Sequence, residues 1–318
     1  VLYLSGEDIK KLVDYEEVIK VVENAMHVYE TGDFVMPDRI TVNRGTETYL
    51  YMPCFTDNVK GTKVLTLYEE NAKKGEPTLH GVMLLNDIET GKIECIMEGS
   101  TLTAYRTGAV GATGIKHTTP ENVESIGIIG TGVQGYYQSL YACSIRNIKT
   151  INIFNRTPEK TTKFKSDLEA AIPNIKVNVC DNTYELVKNS DIIITATTSN
   201  SPVIPDDKEL LKGKHFIGVG SYKPTMQEYP QSLFEILDDM YIDVDFAKEE
   251  TGDLVNPLHE GWIKEDQVHT LGNAIKEGKI KTDGTTFYKS VGMALFDTSV
   301  AAYILKKAKD KGVGTILG

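Results

Sequence analysis

Ser125-Ile126-Gly127-Ile128-Ile129-Gly130-Thr131-Gly132-Val133-Gln134-Gly135 reads as a buried strand that runs into a tight glycine turn. An apolar pattern of helical period follows over residues 133–145, and Thr150-Ile151-Asn152-Ile153-Phe154 supplies a second buried strand. In this strand–loop–helix–strand setting the G-x-G-x-x-G spacing is a dinucleotide fingerprint rather than an ordinary turn. Gly130 permits the turn, Gly132 lets a pyrophosphate approach the backbone, and Gly135 lets the helix pack closely. The helix start then offers free N–H groups and partial positive charge to phosphates. Outward from this unit, a helical pattern over 158–171 is followed by strand-like Lys176–Val179, Asp191–Thr195, His215–Val219 and Met240–Asp243. Strands alternating with helices predict an α/β fold, a Rossmann doubly wound parallel sheet with helices on both faces.

The end of the second strand decides which nicotinamide is bound. An NAD site carries Asp or Glu about 20 residues past the loop, against the ribose 2′-hydroxyl. Here the residues are Phe154-Asn155-Arg156-Thr157, with no carboxylate before Glu159. Arg156 can fork onto a 2′-phosphate, and Asn155, Thr157 and Lys160 can add hydrogen bonds. NADP(H) is the expected preference, with NAD(H) possible.

The 318 residues exceed what one hydrophobic core fills, so two domains are expected. Residues 7–31 carry one helical pattern, and residues 38–99 hold short β-like runs punctuated by Gly45, Pro53, Gly61, Gly75-Glu76-Pro77 and a hairpin at Glu89–Lys92. A helix is predicted from about Thr101 to His117, and an amphipathic one over 291–309. The net charge, 34 − 45 = −11, with no basic run, argues against nucleic acid as a partner. No apolar stretch suggests a membrane span, and the N-terminus turns acidic too soon for a secretory leader. Cys54, Cys95, Cys143 and Cys180 form no CxxC pair and the six histidines show no ligand spacing. Reduced cysteines, no metal and a cytoplasmic location are therefore expected. The acidic run Asp243, Asp245, Glu249, Glu250 and Asp253 reads as a solvated loop edge.

Arg39, Lys63 and Arg106 lie on predicted strands or a helix start, each flanked by apolar residues in an acidic chain. Beside a nucleotide domain they suggest a pocket in which a substrate carboxylate faces the nicotinamide. Tyr68, Phe55, Met52 and Tyr222 are candidates for sizing such a pocket.

These residues resemble the ornithine cyclodeaminase/mu-crystallin family over nearly the whole chain. The similar segments are Met36-Pro37-Asp38-Arg39, Lys63–Glu70, Thr103-Ala104-Tyr105-Arg106-Thr107-Gly108-Ala109, the glycine loop, Gly218–Pro224 and Thr286–Ala294. The resemblance implies a homodimer of two-domain subunits. Residues 1–117 with 295–318 would form the substrate-binding and dimerisation domain, an α+β unit completed by the C-terminal helix. Residues 118–294 would form the Rossmann domain. It further implies that Arg39 and Lys63 grip the substrate carboxylate, that Arg106 and Thr78 lie by the cofactor, and that Val133 and Gln134 meet the pyrophosphate. Thr197, Thr198, Val219 and Ser290 would line the dinucleotide, Glu250 would approach it, and Val291 would stand near nicotinamide and substrate.

Two departures point to a reductase. Cyclodeaminases carry a catalytic Asp where this chain has Tyr222, and a phenol with pKa near 10 is a poor base at neutral pH. Their second strand also ends in an acidic residue, whereas the ketimine reductase mu-crystallin has the Asn-Arg-Thr type seen at Asn155–Thr157. The expected function is NADPH-dependent reduction of a cyclic imino acid, of pyrroline- or piperideine-2-carboxylate type, to an amino acid such as proline. Lys63 would anchor the carboxylate or relay the proton, with Arg39 as clamp. Three alternatives stand beside it: a cyclodeaminase whose carboxylate has moved to Glu69 or Glu70, an alanine-dehydrogenase-like enzyme using ammonia, and a non-catalytic NADPH-dependent binding protein.

Overall fold

The computed structural model describes residues 1–318, apart from the side chains of Glu69 and Ala72. The chain divides into two compact units, residues 107–292 and residues 1–106 with 293–318.

The first of these is built on an eight-stranded parallel sheet. From edge to edge the strands are Val268–Thr270, Met240–Ile242, Thr286–Lys289, His215–Gly218, Ile192–Thr195, Ser125–Ile129, Thr150–Phe154 and Lys176–Val179. The chain enters at Ser125–Ile129, steps outward through Thr150–Phe154 and Lys176–Val179, then returns to the other side at Ile192–Thr195. That reversal leaves a crevice at the carboxyl ends of Ser125–Ile129 and Ile192–Thr195, the position where such sheets bind ligands. The Rossmann α/β fold expected from the glycine stretch is the fold observed. Helices Val133–Ile145 and Glu159–Ala171 follow the first two strands. The sheet also contains Val268–Thr270 and Thr286–Lys289, which are too short to show a period in the sequence.

The other unit holds a seven-stranded mixed sheet, ordered Thr315–Ile316, Leu2–Leu4, Ile93–Glu98, Leu79–Asn86, Lys60–Tyr68, Glu47–Phe55 and Ile40–Arg44. Its inner face carries Leu50, Met52, Cys54, Leu65, Met83 and Leu85, all buried. Helices Tyr15–Thr31 and Ala294–Lys311 pack together, and the latter lies on strands Glu47–Phe55, Lys60–Tyr68 and Leu79–Asn86.

Several expectations are corrected here. The single helical pattern over 7–31 is two helices, Gly6–Leu12 and Tyr15–Thr31, because the Asp14 carboxylate accepts the Glu17 N–H and starts a new helix. Pro53 and Gly61 are strand residues rather than breaks. Pro53 is tolerated because Ile40–Arg44 pairs only as far as Tyr51, so the missing N–H falls where that ladder has ended. Arg39 sits in irregular chain before Ile40, not on a strand, and Arg106 lies inside helix Gly99–Thr118 rather than at its start. The C-terminal helix begins at Ala294, since Gly292 has φ +75°.

Candidate active site

The glycine loop occupies the carboxyl end of Ser125–Ile129. Gly130 has φ +104°, and a Cβ there would stand 2.6 Å from the Ala196 carbonyl oxygen. A Cβ on Gly135 would come within 2.2 Å of the Gly130 carbonyl oxygen, so this glycine closes the helix onto the loop itself as well as onto Ile128. At Gly132 the space is open: nothing lies within 4 Å of a built Cβ. Gly132 is also the N-cap of Val133–Ile145 and gives no side-chain cap. The buried Thr131 Oγ1 and Gln134 Oε1 have no hydrogen-bond partner among the described residues. Open space, an uncapped helix start and two unspent polar atoms fit a pyrophosphate. Val133 is exposed beside them.

Asn155 Oδ1 accepts the Thr131 N–H at 3.3 Å, tying the second strand's end to the loop. Arg156, Thr157 and Lys160 follow, all exposed. Across the crevice, Thr197, Thr198 and Val219 stand past the ends of Ile192–Thr195 and His215–Gly218, with the Val219 N–H donated to the Thr195 carbonyl. Ser290 donates to Asp243 Oδ2 at 2.6 Å, and Asp243 also accepts the Val291 and Gly292 N–H groups. Thus the expected cofactor residues from Gly130 to Ser290 share the carboxyl edge of one sheet. Tyr222 is half-buried in the loop after His215–Gly218, with Lys223 Nζ 5.5 Å from its ring centre.

Beneath that edge lies a buried ionic cluster. Glu228 Oε1 accepts Thr197 N (2.8 Å) and Oγ1 (2.7 Å), while Oε2 accepts Ser221 N (3.1 Å). One carboxylate therefore ties together the two loops that follow neighbouring strands. Asp253 in turn accepts the Glu228 and Tyr229 N–H groups and the Ser221 hydroxyl, and Lys289 Nζ lies 3.4 Å from its Oδ2. Burial raises the Glu228 carboxyl above its ordinary range; Lys289 works against that and Asp253 with it. The acidic run is thus not a solvated edge, because Asp243, Glu250 and Asp253 are buried. Asp253 is consumed by backbone N–H groups and a lysine, as buried carboxylates require.

In the other unit the central feature is Lys63. Strand Lys60–Tyr68 alternates, and Lys63 falls on the same inward side as Gly61 and Leu65, opposite Met52 and Met83 on the flanking strands. It is fully buried. Its Nζ lies 2.6 Å from Asp297 Oδ2 as a buried ion pair. Arg106 Nε donates to Asp297 Oδ1 at 2.8 Å. The terminal nitrogens of Arg106 have no hydrogen bond among the described residues, which leaves the open end of the fork for a carboxylate. Burial pulls the Lys63 ammonium down to about 7; Asp297 opposes that, and Arg106 and Arg39 add to it.

Asp297 is not among the residues that the sequence marks for the site. It is buried in the first turn of Ala294–Lys311, in line with Ala301, Ile304 and Ala308, and a carboxylate in an apolar helical stripe is the signal that marks it. Phe55 and Tyr68 stand on the outward side of their strands, away from Lys63, so neither sizes a pocket there; Tyr68 bonds Tyr49 instead. Met52 is core. Thr78 is exposed before strand Leu79–Asn86, and its carbonyl accepts the Tyr68 N–H. Glu70 is exposed and paired with Lys73, unlike a catalytic carboxylate, and the Glu69 side chain lies outside the described residues.

A Rossmann unit with an open phosphate cradle, joined to a unit with a buried cation cluster, defines the class of two-unit dinucleotide-binding proteins. Residues 2–312 match the ornithine cyclodeaminase/mu-crystallin family, and the chain belongs to that family. A Delta(1)-pyrroline-2-carboxylate reductase of Bacillus cereus is 34% identical, over 98% of each chain. The solved structure of the Thermococcus litoralis Delta(1)-pyrroline-2-carboxylate reductase, in complex with NADH and L-proline, is similar at a TM-score of 0.93 with 31% identity over 100% of both chains. An archaeal alanine dehydrogenase dimer with bound NAD reaches 0.91 at 26% identity, covering 100% of this chain and 99% of that one.

Proposed function

We propose that this chain is an NAD(P)-dependent oxidoreductase acting on a C=N bond, and specifically an NADPH-dependent reductase of a cyclic imino acid of pyrroline- or piperideine-2-carboxylate type. The observation that carries the reading is the buried Lys63–Asp297–Arg106 cluster, which supplies both a carboxylate anchor and a proton. The terminal nitrogens of Arg106, with Arg39, take the substrate carboxylate. Lys63 Nζ, poised near neutrality, hands its proton to the ring nitrogen. A bound nicotinamide supplies the hydride for the adjacent carbon. Hydride plus proton converts C=N to CH–NH, with nothing left over, so the product from a five-membered ring is proline. Tyr222 shapes the pocket and is no base, in keeping with a reaction that loses no ammonia. The similarity to the Bacillus and Thermococcus reductases supports the substrate class.

Gly130, Gly132, Val133, Gln134 and Gly135 hold the pyrophosphate, and Thr197, Thr198, Val219, Ser290 and Val291 the remaining dinucleotide. Asn155, Arg156, Thr157 and Lys160 favour a 2′-phosphate because no carboxylate opposes it before Glu159. The subunit pairs as a homodimer through the outer face of its mixed sheet. No described helix is long and apolar enough to cross a membrane.

The test follows nicotinamide absorbance with pyrroline-2-carboxylate and NADPH in ammonia-free buffer. Rapid oxidation yielding proline is expected, with NADPH favoured over NADH. Oxidation only with pyruvate and ammonia would give the dehydrogenase reading, and ammonia release from L-ornithine the cyclodeaminase one. Lys63→Met is expected to lower kcat about 10²–10⁴-fold, the usual worth of a positioned acid.

A further inference from the structure

Nothing about Lys63 alone explains how an ammonium survives at that place. The residue is fully buried, and its neighbours across the sheet, Met52 and Met83, offer it no charge. Among the described residues, two cations act on it: Arg106 from helix Gly99–Thr118 and Arg39 from the segment before Ile40. Cys54, on the neighbouring strand, faces Asp297, and burial pushes its thiol up to about 11, so it brings no charge near neutrality. Among the described residues the anion beside the lysine is Asp297, 2.6 Å away.

We propose that Asp297 is the positioning residue of this site: it fixes the Lys63 ammonium on one of its carboxylate oxygens. Arg106, on the other oxygen, stops the carboxylate from turning. Asp297 meets two cations, Lys63 and Arg106, and stands in the first turn of Ala294–Lys311. One carboxylate shared between two cations leaves the cluster net positive, a surplus that a substrate carboxylate neutralises. Arrival of that carboxylate adds a second anion beside Lys63 and raises its proton affinity, so the proton is present when the imine is. Removal of Asp297 acts the other way, since burial, Arg106 and Arg39 then meet no opposition.

The positioning of Lys63 stands on geometry alone; only the use made of its proton rests on the reductase reading. The experiment therefore reads the lysine directly. Lysine side-chain nitrogen NMR, with Lys63→Met to assign the signal, follows the Lys63 midpoint in the wild-type protein and in Asp297→Asn, Asp297→Glu and Arg106→Gln. The wild-type midpoint is expected near 7. Asp297→Asn lowers it by about one pH unit or more, the usual effect of a close opposite charge. Asp297→Glu largely restores it, and Arg106→Gln, which removes a cation, moves it upward.

In parallel, kcat/KM for pyrroline-2-carboxylate falls as pH rises through the Lys63 midpoint, and this falling limb moves to lower pH in Asp297→Asn. In the wild type the kcat limb lies above the kcat/KM limb, because bound substrate raises the midpoint. An unmoved Lys63 midpoint with turnover cut equally at every pH makes Asp297 a packing residue and overturns the proposal. Should Asp297→Asn fail to fold, a fall or no change in Arg106→Gln overturns it equally. A shifted midpoint in a wild-type protein that reduces no imine upholds the positioning role and overturns the reductase reading instead.

Discussion

On the proposed function, cofactor choice turns on Arg156. It stands exposed after strand Thr150–Phe154, with no hydrogen bond or ion pair among the described residues, beside the equally exposed Thr157 and Lys160. A guanidinium so placed can form a bidentate contact to a 2′-phosphate, and a charged hydrogen bond is worth about 1.5–3 kcal/mol. Arg156→Ala is expected to raise the KM for NADPH about tenfold to a hundredfold and to leave that for NADH nearly unchanged. A KM for NADPH that does not move would make Arg156 a solvated strand end. At this scale the sequence shows which cations are out of place but not what they touch. Lys63 is legible because it interrupts an apolar alternation, and Arg106 because it interrupts an apolar helix. Their shared partner, Asp297, lies 234 and 191 positions further on (297 − 63 and 297 − 106). It reads as one acidic residue in a helix until the pairing is seen.

On the proposed function, the glycine loop divides its glycines between folding and binding. Gly135→Ala would drive a methyl into the Gly130 carbonyl oxygen, a backbone atom that cannot step aside. The expected cost is about 1–3 kcal/mol, the range for overpacking, seen as a lower melting temperature without cofactor. Gly132→Ala meets open space at an ordinary φ of −92° and should leave the melting temperature in place. Its methyl would instead stand where the pyrophosphate approaches, and dinucleotide affinity by nicotinamide fluorescence should drop about tenfold or more. Unchanged affinity in Gly132→Ala would remove the loop from the binding site. Elements of this kind were legible, since buried strands of four or five residues bounded by turns and followed by amphipathic helices carry their own punctuation. Strands such as Leu2–Leu4, Thr286–Lys289 and Thr315–Ile316 carry none. Leu2 owes its conformation to Cys95 and Ile316, and Thr286–Lys289 to the two strands it separates. For these the deciding contacts are remote in sequence.

At the scale of the whole molecule, the mixed sheet carries a row of exposed apolar side chains on one face. Ile40, Tyr51, Val64 and Val82 stand in register across four adjacent strands on the side away from Lys63, and Ile40, Tyr51 and Val82 are 54%, 39% and 38% exposed. Val42 extends the row beside Tyr49, and strand Ile40–Arg44 is exposed along its length at the sheet's edge. An exposed apolar edge strand is a template for pairing, and a contiguous apolar patch marks an interaction face. A second copy of the chain is the occupant we expect, and the alanine dehydrogenase dimer of similar fold accords with that. The wild-type protein should then sediment at twice the chain mass. Val82→Lys combined with Tyr51→Lys places a charge on either side of Val64 in the row, and should yield a folded monomer with unchanged far-ultraviolet circular dichroism at low salt. Neither position shares the inward face with Lys63, so cofactor affinity should survive in that monomer. A double variant that stays dimeric would place the interface elsewhere. A wild-type protein that is monomeric at every concentration would mean that another partner, or none, covers the row.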